Sequence, residues 1–210
     1  MVAKRDEWMS VGPRTVEEFL ALDRETLDQK YEFRNGQMVA MSGGSNNHTL
    51  IIMNLSGILY AHLRKNPCAA FSEGTLKIED ECYMLDIMVT CNDQDLTGNK
   101  TYLEHPKLVM EVLSPTTDKY DRTDKTWIYT QCRSIQEYIL IEWDMMTVQR
   151  MTRKGTGESD WFQWIDRRYY QGESVELETI GLTIPVDDIY EKVTLPPLDP
   201  FRGFKRRKKE

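Results

Sequence analysis

The segment Met84-Leu85-Asp86-Ile87-Met88-Val89 places one acidic residue inside a short apolar run. A second run, Leu108-Val109-Met110-Glu111-Val112-Leu113, has the same form. Runs of this length indicate buried strands, where carboxylates are rare unless they are paired or bound to a metal. We therefore expect Asp86 and Glu111 to lie together on neighbouring strands. Like charges at close range need a cation or a shared proton, and a divalent ion with oxygen ligands would satisfy both acids.

The segments around these two runs predict alternating helices and strands. Asn35-Gly36 between two short runs indicates a β-hairpin, and Thr15 with Glu18 forms a capping box that begins a helix. Helices are expected at 15–27, 48–64, 121–132 and 186–190, and strands at 31–34, 37–41, 69–72, 75–78, 85–91, 108–114, 137–142, 147–152 and 161–165.

This order of elements predicts an α/β fold with a mixed β-sheet flanked by helices. The chain has 210 residues, enough for one domain with a substantial core. We assign residues 15–193 to that domain, residues 1–14 to an N-terminal extension and residues 194–210 to a proline-containing basic tail.

The charge is unevenly distributed along the chain. The net charge is −7, and residues 205–210 contain five basic residues and one acidic residue, which leaves −11 on residues 1–204. A body this acidic disfavours a general DNA-coating protein. It does not exclude a nuclease, because metal ions can neutralise part of the acidic charge. The basic tail is interpreted as a solvated end, with phosphate binding as the alternative.

Several classes of protein are disfavoured by missing motifs. The four cysteines, Cys68, Cys82, Cys91 and Cys132, show no Cys-x-x-Cys spacing, so reduced thiols in a cytoplasmic protein are the simplest interpretation. No apolar run is long enough to cross a membrane, and the N-terminal residues lack the apolar core of a signal peptide. The sequence contains neither Gly-x-Ser-x-Gly nor His-Glu-x-x-His, which disfavours serine hydrolases and zinc proteases.

The helix after the Glu111 strand carries a lysine on a polar face. Asp121, Lys125 and Tyr129 recur every four residues and therefore share that face. If the helix folds back over the strand, Lys125 can reach a metal-bound water or stabilise charge on a phosphate. The alternative is a surface ion pair between Asp121 and Lys125, worth a few tenths of a kcal/mol.

Four motifs in a fixed order resemble the Uma2 family, part of the PD-(D/E)XK restriction-endonuclease-like superfamily. The motifs are Tyr31-Glu32-x-x-Asn35-Gly36, Ser42-Gly43-Gly44-Ser45-x-Asn47-His48, Asp86-Ile87, and Glu111-Val112-Leu113-Ser114-Pro115-x-Thr117 with Asp121 and Lys125. The resemblance covers about residues 15–193. Two residues depart from the superfamily pattern, because Leu85 replaces its proline and Leu113 replaces its strand lysine.

The resemblance implies a set of roles for the matching residues. It implies that Asp86, Glu111 and the backbone carbonyl of Val112 bind Mg²⁺, with Mn²⁺ as a substitute. Lys125 matches the family lysine that has moved from strand to helix. Glu32 would complete the ion shell, and His48 would assist proton transfer. Each residue also has a structural alternative: Glu32 as a solvated strand residue, His48 as a local cap or surface residue, and Asp86 as a buried acid satisfied by backbone donors.

The expected function is that of a cytoplasmic Mg²⁺-dependent endonuclease that hydrolyses phosphodiester bonds in nucleic acid, with DNA preferred. A homodimer is expected as one option, because two sites can cut two strands. Two alternatives stay open: a catalytically silent binding module with a nuclease fold, and a metal-dependent phosphohydrolase acting on nucleotides.

Overall fold

A nine-stranded mixed β-sheet runs through the part of the chain that the structure, a computed structural model, describes: residues 12–23, 29–41, 43–98, 100–115, 117–154 and 163–197. Its strands are β1 (Tyr31–Arg34), β2 (Gln37–Ala40), β3 (Ala69–Ile78), β4 (Glu81–Thr90), β5 (Tyr102–Leu103), β6 (Pro106–Val112), β7 (Glu137–Ile141), β8 (Thr147–Lys154) and β9 (Gln163–Tyr170). A separate hairpin is formed by β10 (Ser174–Leu177) and β11 (Leu182–Pro185).

Helical segments accompany the sheet. They are α1 (Val16–Asp23), α2 (Asn46–Leu63), α3 (Asp93–Leu96), α4 and α5 (Val186–Ile189). Helix α4 has three consecutive parts: an α-helical turn (Asp118–Tyr120), a π-helical turn (Asp121–Lys125) and an α-helix (Thr126–Gln131). Within the described ranges, no helix is both long and apolar enough to span a membrane.

The strand order across the large sheet is β2-β1-β4-β6-β7-β8-β9, with β3 paired to β4 and β5 paired to β3. The pairs β6–β7 and β3–β5 are parallel, and the other paired strands are antiparallel. Helix α4 provides the crossover that the parallel pair β6–β7 requires. The predicted α/β fold with a mixed sheet flanked by helices is confirmed.

Helices α2 and α4 cover opposite faces of the sheet. The buried side of α2 packs against Leu108, Met110 and Val112 of β6, whereas Val109 belongs to the core that contains Tyr129 of α4. Because side chains alternate along a strand, this register directs Glu111 toward α4.

The strand pairing leaves a gap along one edge of β4. Strand β1 pairs with the beginning of β4 only at Phe33 and Cys82, whereas β6 pairs with its end from Ile87 onward. Residues 83–86 of β4 therefore face neither strand on that edge. We refer to this opening, residues 83–86 between β1 and β6, as the strand gap.

Alternation along β4 breaks at the strand gap. Leu85 belongs to the α4-side core, Asp86 contacts His48 of α2, and Ile87 belongs to the α2-side core. Two successive side chains thus turn toward α2. Opposite them on β3, Glu73 has a positive φ of 53°, which shows that the neighbouring backbone is also irregular.

Local sequence signals account for the elements that position the site. Asn35 and Gly36 have φ values of 50° and 71°, as a two-residue hairpin turn requires. Ser45 caps α2 by accepting the His48 backbone N–H at 3.3 Å. This cap begins α2 at Asn46, two residues before the expected start.

Other predicted boundaries differ from the structure. The two strands expected at 69–72 and 75–78 form one strand, β3, because its register with β4 continues across the expected break. Helix α4 starts three residues early, and α3, β5 and the β10–β11 hairpin have no counterpart among the predicted elements. Five parts of the chain with predictions lie outside the described residues: residues 24–27 of the first predicted helix, residues 161–162, Ser42, the first eleven residues and the basic end 198–210.

The prediction of four reduced thiols is wrong for Cys68 and Cys91, which form a disulfide. The two cysteines flank the open end of the β3–β4 pair, next to the paired residues Ala69 and Thr90, with Cα atoms 4.0 Å apart. The sequence interpretation considered only Cys-x-x-Cys spacing, whereas strand pairing brought together two cysteines 23 residues apart.

Candidate active site

A cavity of about 760 Å³ opens at the strand gap. Its wall includes residues from β3, β4, β6, α4 and the first turn of α2. The chemically relevant lining residues are His48, Asp86, Glu111, Val112, Asp121 and Lys125. The structure thus brings five of the six predicted site residues to one cavity, and the sixth, Glu32, lies directly behind Lys125.

Side chains replace the missing strand at the gap. The backbone N–H of Met84 donates to Glu32 Oε1 at 3.2 Å, and the Met84 carbonyl accepts from Lys125 Nζ at 3.0 Å. The backbone N–H of Asp86 lies 3.4 Å from Glu111 Oε2, to which it donates. Buried backbone groups need such partners, so these side chains serve both the sheet and the cavity.

Asp86 is held by the end of β6 and the start of α2. Its Oδ2 accepts the backbone N–H of Val112 at 2.7 Å and lies 3.2 Å from His48 Nε2. The side chain is 19% exposed, in contrast to the other acids of the site. Asp86 is therefore fixed through one oxygen while the carboxylate still faces the cavity.

Glu111 and Lys125 form a buried ion pair. Lys125 Nζ lies 2.8 Å from Glu111 Oε1, and the Tyr129 hydroxyl lies 3.5 Å from the same oxygen. Burial raises the pKa of Glu111, the charge of Lys125 lowers it, and the charge of Asp86 raises it. The net result is a pKa well above the usual value.

Lys125 is surrounded by three carboxylates. Besides Glu111, its Nζ lies 3.2 Å from Glu32 Oε1 and 3.5 Å from Asp121 Oδ1. Burial alone would lower the pKa of Lys125, but the charges of Glu111, Glu32 and Asp121 raise it well above its usual value. The ammonium form is therefore held at neutral pH. The ion pair between Asp121 and Lys125 that the sequence offered as an alternative is present, but both residues are buried rather than at the surface.

The π-helical turn places Asp121 and Lys125 beside the gap. It ends where the backbone N–H of Thr126 reaches the Asp121 carbonyl, one residue further than in an α-helix. Burial raises the pKa of Asp121, whose Oδ1 has no hydrogen-bond partner among the described residues. Such turns occur often at functional sites. Asp121 was predicted to share the helix face of Lys125 but was not assigned to the site.

Arg34 and Tyr120 fix Glu32 from behind. Glu32 Oε2 lies 3.2 Å from Arg34 Nε and 3.4 Å from the Tyr120 hydroxyl, and the Arg34 guanidinium stacks 4.2 Å from the centre of the Tyr120 ring. Glu32 is fully buried, so the solvated-strand alternative is wrong. Sequence reasoning missed Arg34 and Tyr120, because only the tertiary fold brings the hairpin against α4.

His48 enters the cavity from the first turn of α2. Burial alone would lower its pKa, but the hydrogen bond and charge of Asp86 and the backbone of Val112 raise the pKa above its usual value. Its ring packs closely on Gly44: a Cβ built there would overlap the imidazole, with the His48 Cγ only 2.8 Å away. His48 is therefore held in place from two sides.

Gly44→Ala is expected to displace the His48 ring from Asp86 and to lower the pKa of His48 toward its usual value, because the favourable contact with the carboxylate is lost. An NMR titration of the imidazole in metal-free protein measures this. Gly43→Ala is the matched control, since a Cβ there meets nothing within 4 Å. An unchanged His48 pKa in Gly44→Ala would contradict the packing described.

The charges at the cavity favour a divalent cation. Four carboxylates, those of Glu32, Asp86, Glu111 and Asp121, face two permanent cations, those of Arg34 and Lys125. Lys30 and Glu73 at the cavity wall pair with each other at 2.8 Å. Glu32 and Arg34 lie behind the cavity wall and offset each other. If Asp86, Glu111 and Asp121 are ionised and His48 is neutral, the described residues of the wall carry two negative charges in excess, which one divalent ion would balance.

The donor atoms fit a hard ion bound partly by water. In the described part of the chain no three His, Cys, Asp or Glu side chains are arranged to hold a metal. Two carboxylates and a backbone carbonyl are nevertheless oxygen ligands of the type Mg²⁺ uses, since Mg²⁺ usually keeps several waters. Asp86, Glu111 and Val112 all line the cavity.

The chain matches one protein family and is similar to two cyanobacterial proteins. The sequence pattern of the Uma2 family, described as "Putative restriction endonuclease", matches residues 16–187. Two uncharacterized proteins of Synechocystis sp. are similar: slr1290 is 33% identical over 83% of this chain and 90% of its own length, and sll1609 is 30% identical over 78% and 91%.

A solved structure has the same fold. It is the crystal structure of a protein from Anabaena variabilis described as a "putative nuclease belonging to DUF820". The two structures superpose with a TM-score of 0.67 at 18% sequence identity, over 87% of this chain and all of the other. The family match confirms the resemblance to Uma2 that the motifs indicated. The structural match confirms the predicted nuclease-like fold.

Proposed function

Because the chain belongs to the Uma2 family of restriction-endonuclease-like proteins, we propose that it is a Mg²⁺-dependent endonuclease that hydrolyses phosphodiester bonds in DNA. The observation that carries this proposal is the convergence of Asp86, Glu111 and Lys125 on one cavity. Two acids from adjacent strands and an ammonium group are what metal-assisted hydrolysis of a phosphodiester needs.

Asp86, Glu111 and the Val112 carbonyl would hold the ion, and Mn²⁺ would substitute for Mg²⁺. When bound, the ion would lower the pKa of a water and polarise the scissile phosphate. Asp86 is suited to this role because, within the described part of the chain, its contacts with Val112 and His48 both use Oδ2. Glu111 binds the ion only when deprotonated, so its raised pKa makes metal binding weaken as the pH falls.

Lys125 acts as a fixed positive charge. Its raised pKa excludes it as a general base near neutral pH and favours stabilisation of negative charge on the phosphate. Glu32 lies behind Lys125 rather than on the cavity wall, so its part in the site is to hold the ammonium beside Glu111. We propose this role for Glu32 instead of the one expected from the sequence, in which Glu32 completes the ion shell.

His48 is placed to move a proton. Its Nε2 contacts Asp86, and this contact raises the pKa of the imidazole above its usual value against the effect of burial, which favours the imidazolium. A protonated His48 can donate to the leaving oxygen of the cleaved strand.

Cleavage of supercoiled plasmid in Mg²⁺ or Mn²⁺, with none in EDTA, is the expected result and tests the proposal directly. Mg²⁺ is also expected to raise the melting temperature, because it binds the folded site alone. Cleavage that persists in EDTA, or no cleavage of any plasmid, single strand or RNA in either metal, would contradict it.

One observation favours a silent binding module as a second candidate. Glu111 already accepts from Lys125, Tyr129 and the Asp86 amide, so this carboxylate is satisfied without a metal. Calorimetry with Mg²⁺ separates the candidates, since an endonuclease must bind the ion through Asp86 whereas a silent module need not. Turnover of free nucleotides but not of polymers would instead identify a nucleotide phosphohydrolase.

A further inference from the structure

Helix α2 has an unusual composition for a surface helix. Its 18 residues, Asn46–Leu63, include no Asp, Glu, Lys or Arg, although these residues make up 29% of the chain. A helix on the surface of a globular protein normally carries charged residues on its outer side. The outer side of α2 therefore lacks the charged residues that are usual on a surface in contact with water.

The exposed apolar residues of α2 form one stripe, with the exposed polar residues Asn46 and Thr49 at one end and the exposed Arg64 just beyond the other. Leu50, Met53, Gly57 and Tyr60 are spaced by three and four residues and so lie on one face. Leu50 is 36% exposed, Met53 65% and Tyr60 72%. Ala61, also exposed, extends the stripe beside Tyr60.

We propose that this stripe is a self-association surface, through which α2 of one copy packs antiparallel against α2 of a second copy across a two-fold axis near Gly57. A symmetric contact of this kind uses the same patch on both copies. The proposal is independent of the proposed function, since it uses no residue of the cavity.

Charge favours a second copy as the occupant. Two chains of net charge −7 repel each other, and an uncharged surface is where they can meet with the least repulsion and without burying an unpaired charge. A basic partner would find no acidic residue on the stripe, and an acidic partner would find only the end of it charged, at Arg64. The chain itself therefore fits the stripe better than a charged partner.

The shape of the stripe fits an antiparallel pair. A Cβ built on Gly57 meets nothing within 4 Å, so the two helices can approach most closely at the axis. Counting outward from Gly57, the large Met53 of one copy falls opposite the small Ala61 of the other. The helix is about 27 Å long, and a contact of this size predicts a weak dimer with a Kd in the micromolar range, at the low end of interface areas.

Sedimentation equilibrium of the full chain over about 1–200 μM tests the proposal, because this range brackets a micromolar Kd. A concentration-dependent dimer is expected for the wild type. Gly57→Glu is expected to weaken dimerisation at least 100-fold, because it places two carboxylates together at the axis. The variant should still fold, since glutamate favours helix more than glycine does and its Cβ has open space.

Gln131→Glu is the matched control, because it adds the same charge at an exposed position on the helix that covers the other sheet face. It is expected to leave the dimer intact. A wild-type monomer at the highest concentration would overturn the proposal, including the case in which residues 198–210 cover the stripe. A dimer that survives Gly57→Glu would overturn it as well, because association would then use another surface.

Discussion

Lys125→Met is expected to lower the free energy of unfolding by about 3–5 kcal/mol, because removing one partner of a buried ion network leaves the others uncompensated. Glu111, Glu32 and Asp121 would then face each other without a cation in a site where Lys125 is only 2% exposed. Cleavage should be lost together with the ammonium group. Urea unfolding and plasmid cleavage measure the two effects.

The loss of stability should depend on pH. Without Lys125, Glu111 would be protonated in the folded state, because burial raises its pKa and the opposing ammonium is gone. A group with a raised pKa in the folded state stabilises the protein below its unfolded pKa and loses that contribution as the pH rises. Lys125→Met should therefore be closer to wild type at pH 5 than at pH 8.

Two further variants separate the ion pair from general effects. Lys100→Met removes a lysine that pairs with Glu104 at the surface at 2.9 Å, and it should leave stability nearly unchanged. Glu111→Gln combined with Lys125→Met should recover part of the lost stability, because neither partner is then a buried unpaired charge. If Lys125→Met unfolds at the same urea concentration as the wild type at both pH values, the buried network does not carry the energy assigned to it.

Asp86→Asn is expected to reduce metal-dependent cleavage by about 10³-fold or more, because a bound ion supplies several kcal/mol of transition-state stabilisation. Mg²⁺ should no longer raise the melting temperature of this variant. Stability without metal should change by less than about 1 kcal/mol, because the side chain is partly exposed and the asparagine oxygen can still accept from Val112.

Asp118→Asn is the control for a lost carboxylate on α4, away from the cavity lining. Asp118 pairs with Arg122 at 2.7 Å on the exposed side of the helix, and its loss should leave cleavage and Mg²⁺ binding unchanged. Full activity in Asp86→Asn would show that another group binds the ion, and the assignment of the metal site would then be wrong.

The approach of Asp86 to Glu111 was predictable from the sequence. Two acids inside apolar runs can be buried only with partners, and the distance from the Asp86 amide to Glu111 Oε2 confirms that they lie on neighbouring strands. The Asn35-Gly36 hairpin and the helix cap at the start of α2 were also predictable from the sequence, because each depends on a few adjacent residues.

The strand gap was not predictable, because it depends on pairing between distant segments. Strand β1 contributes a single pair to β4, and the break in alternation at Asp86 and Ile87 occurs opposite the irregular backbone of Glu73. The burial of Glu32 follows from this gap, as does the contact of Lys125 with the Met84 carbonyl. No local pattern encodes these contacts.

The strand gap has a consequence for reading related sequences. Lys125 completes the main-chain bonding of β4 and also pairs with Glu111, so a related protein without nuclease activity would still need it in order to fold. Asp86 is partly exposed, and its side chain accepts a bond from Val112 that an amide can also accept. Retention of the lysine would therefore report inheritance of the architecture, whereas under the proposed function retention of the aspartate would report selection for cleavage.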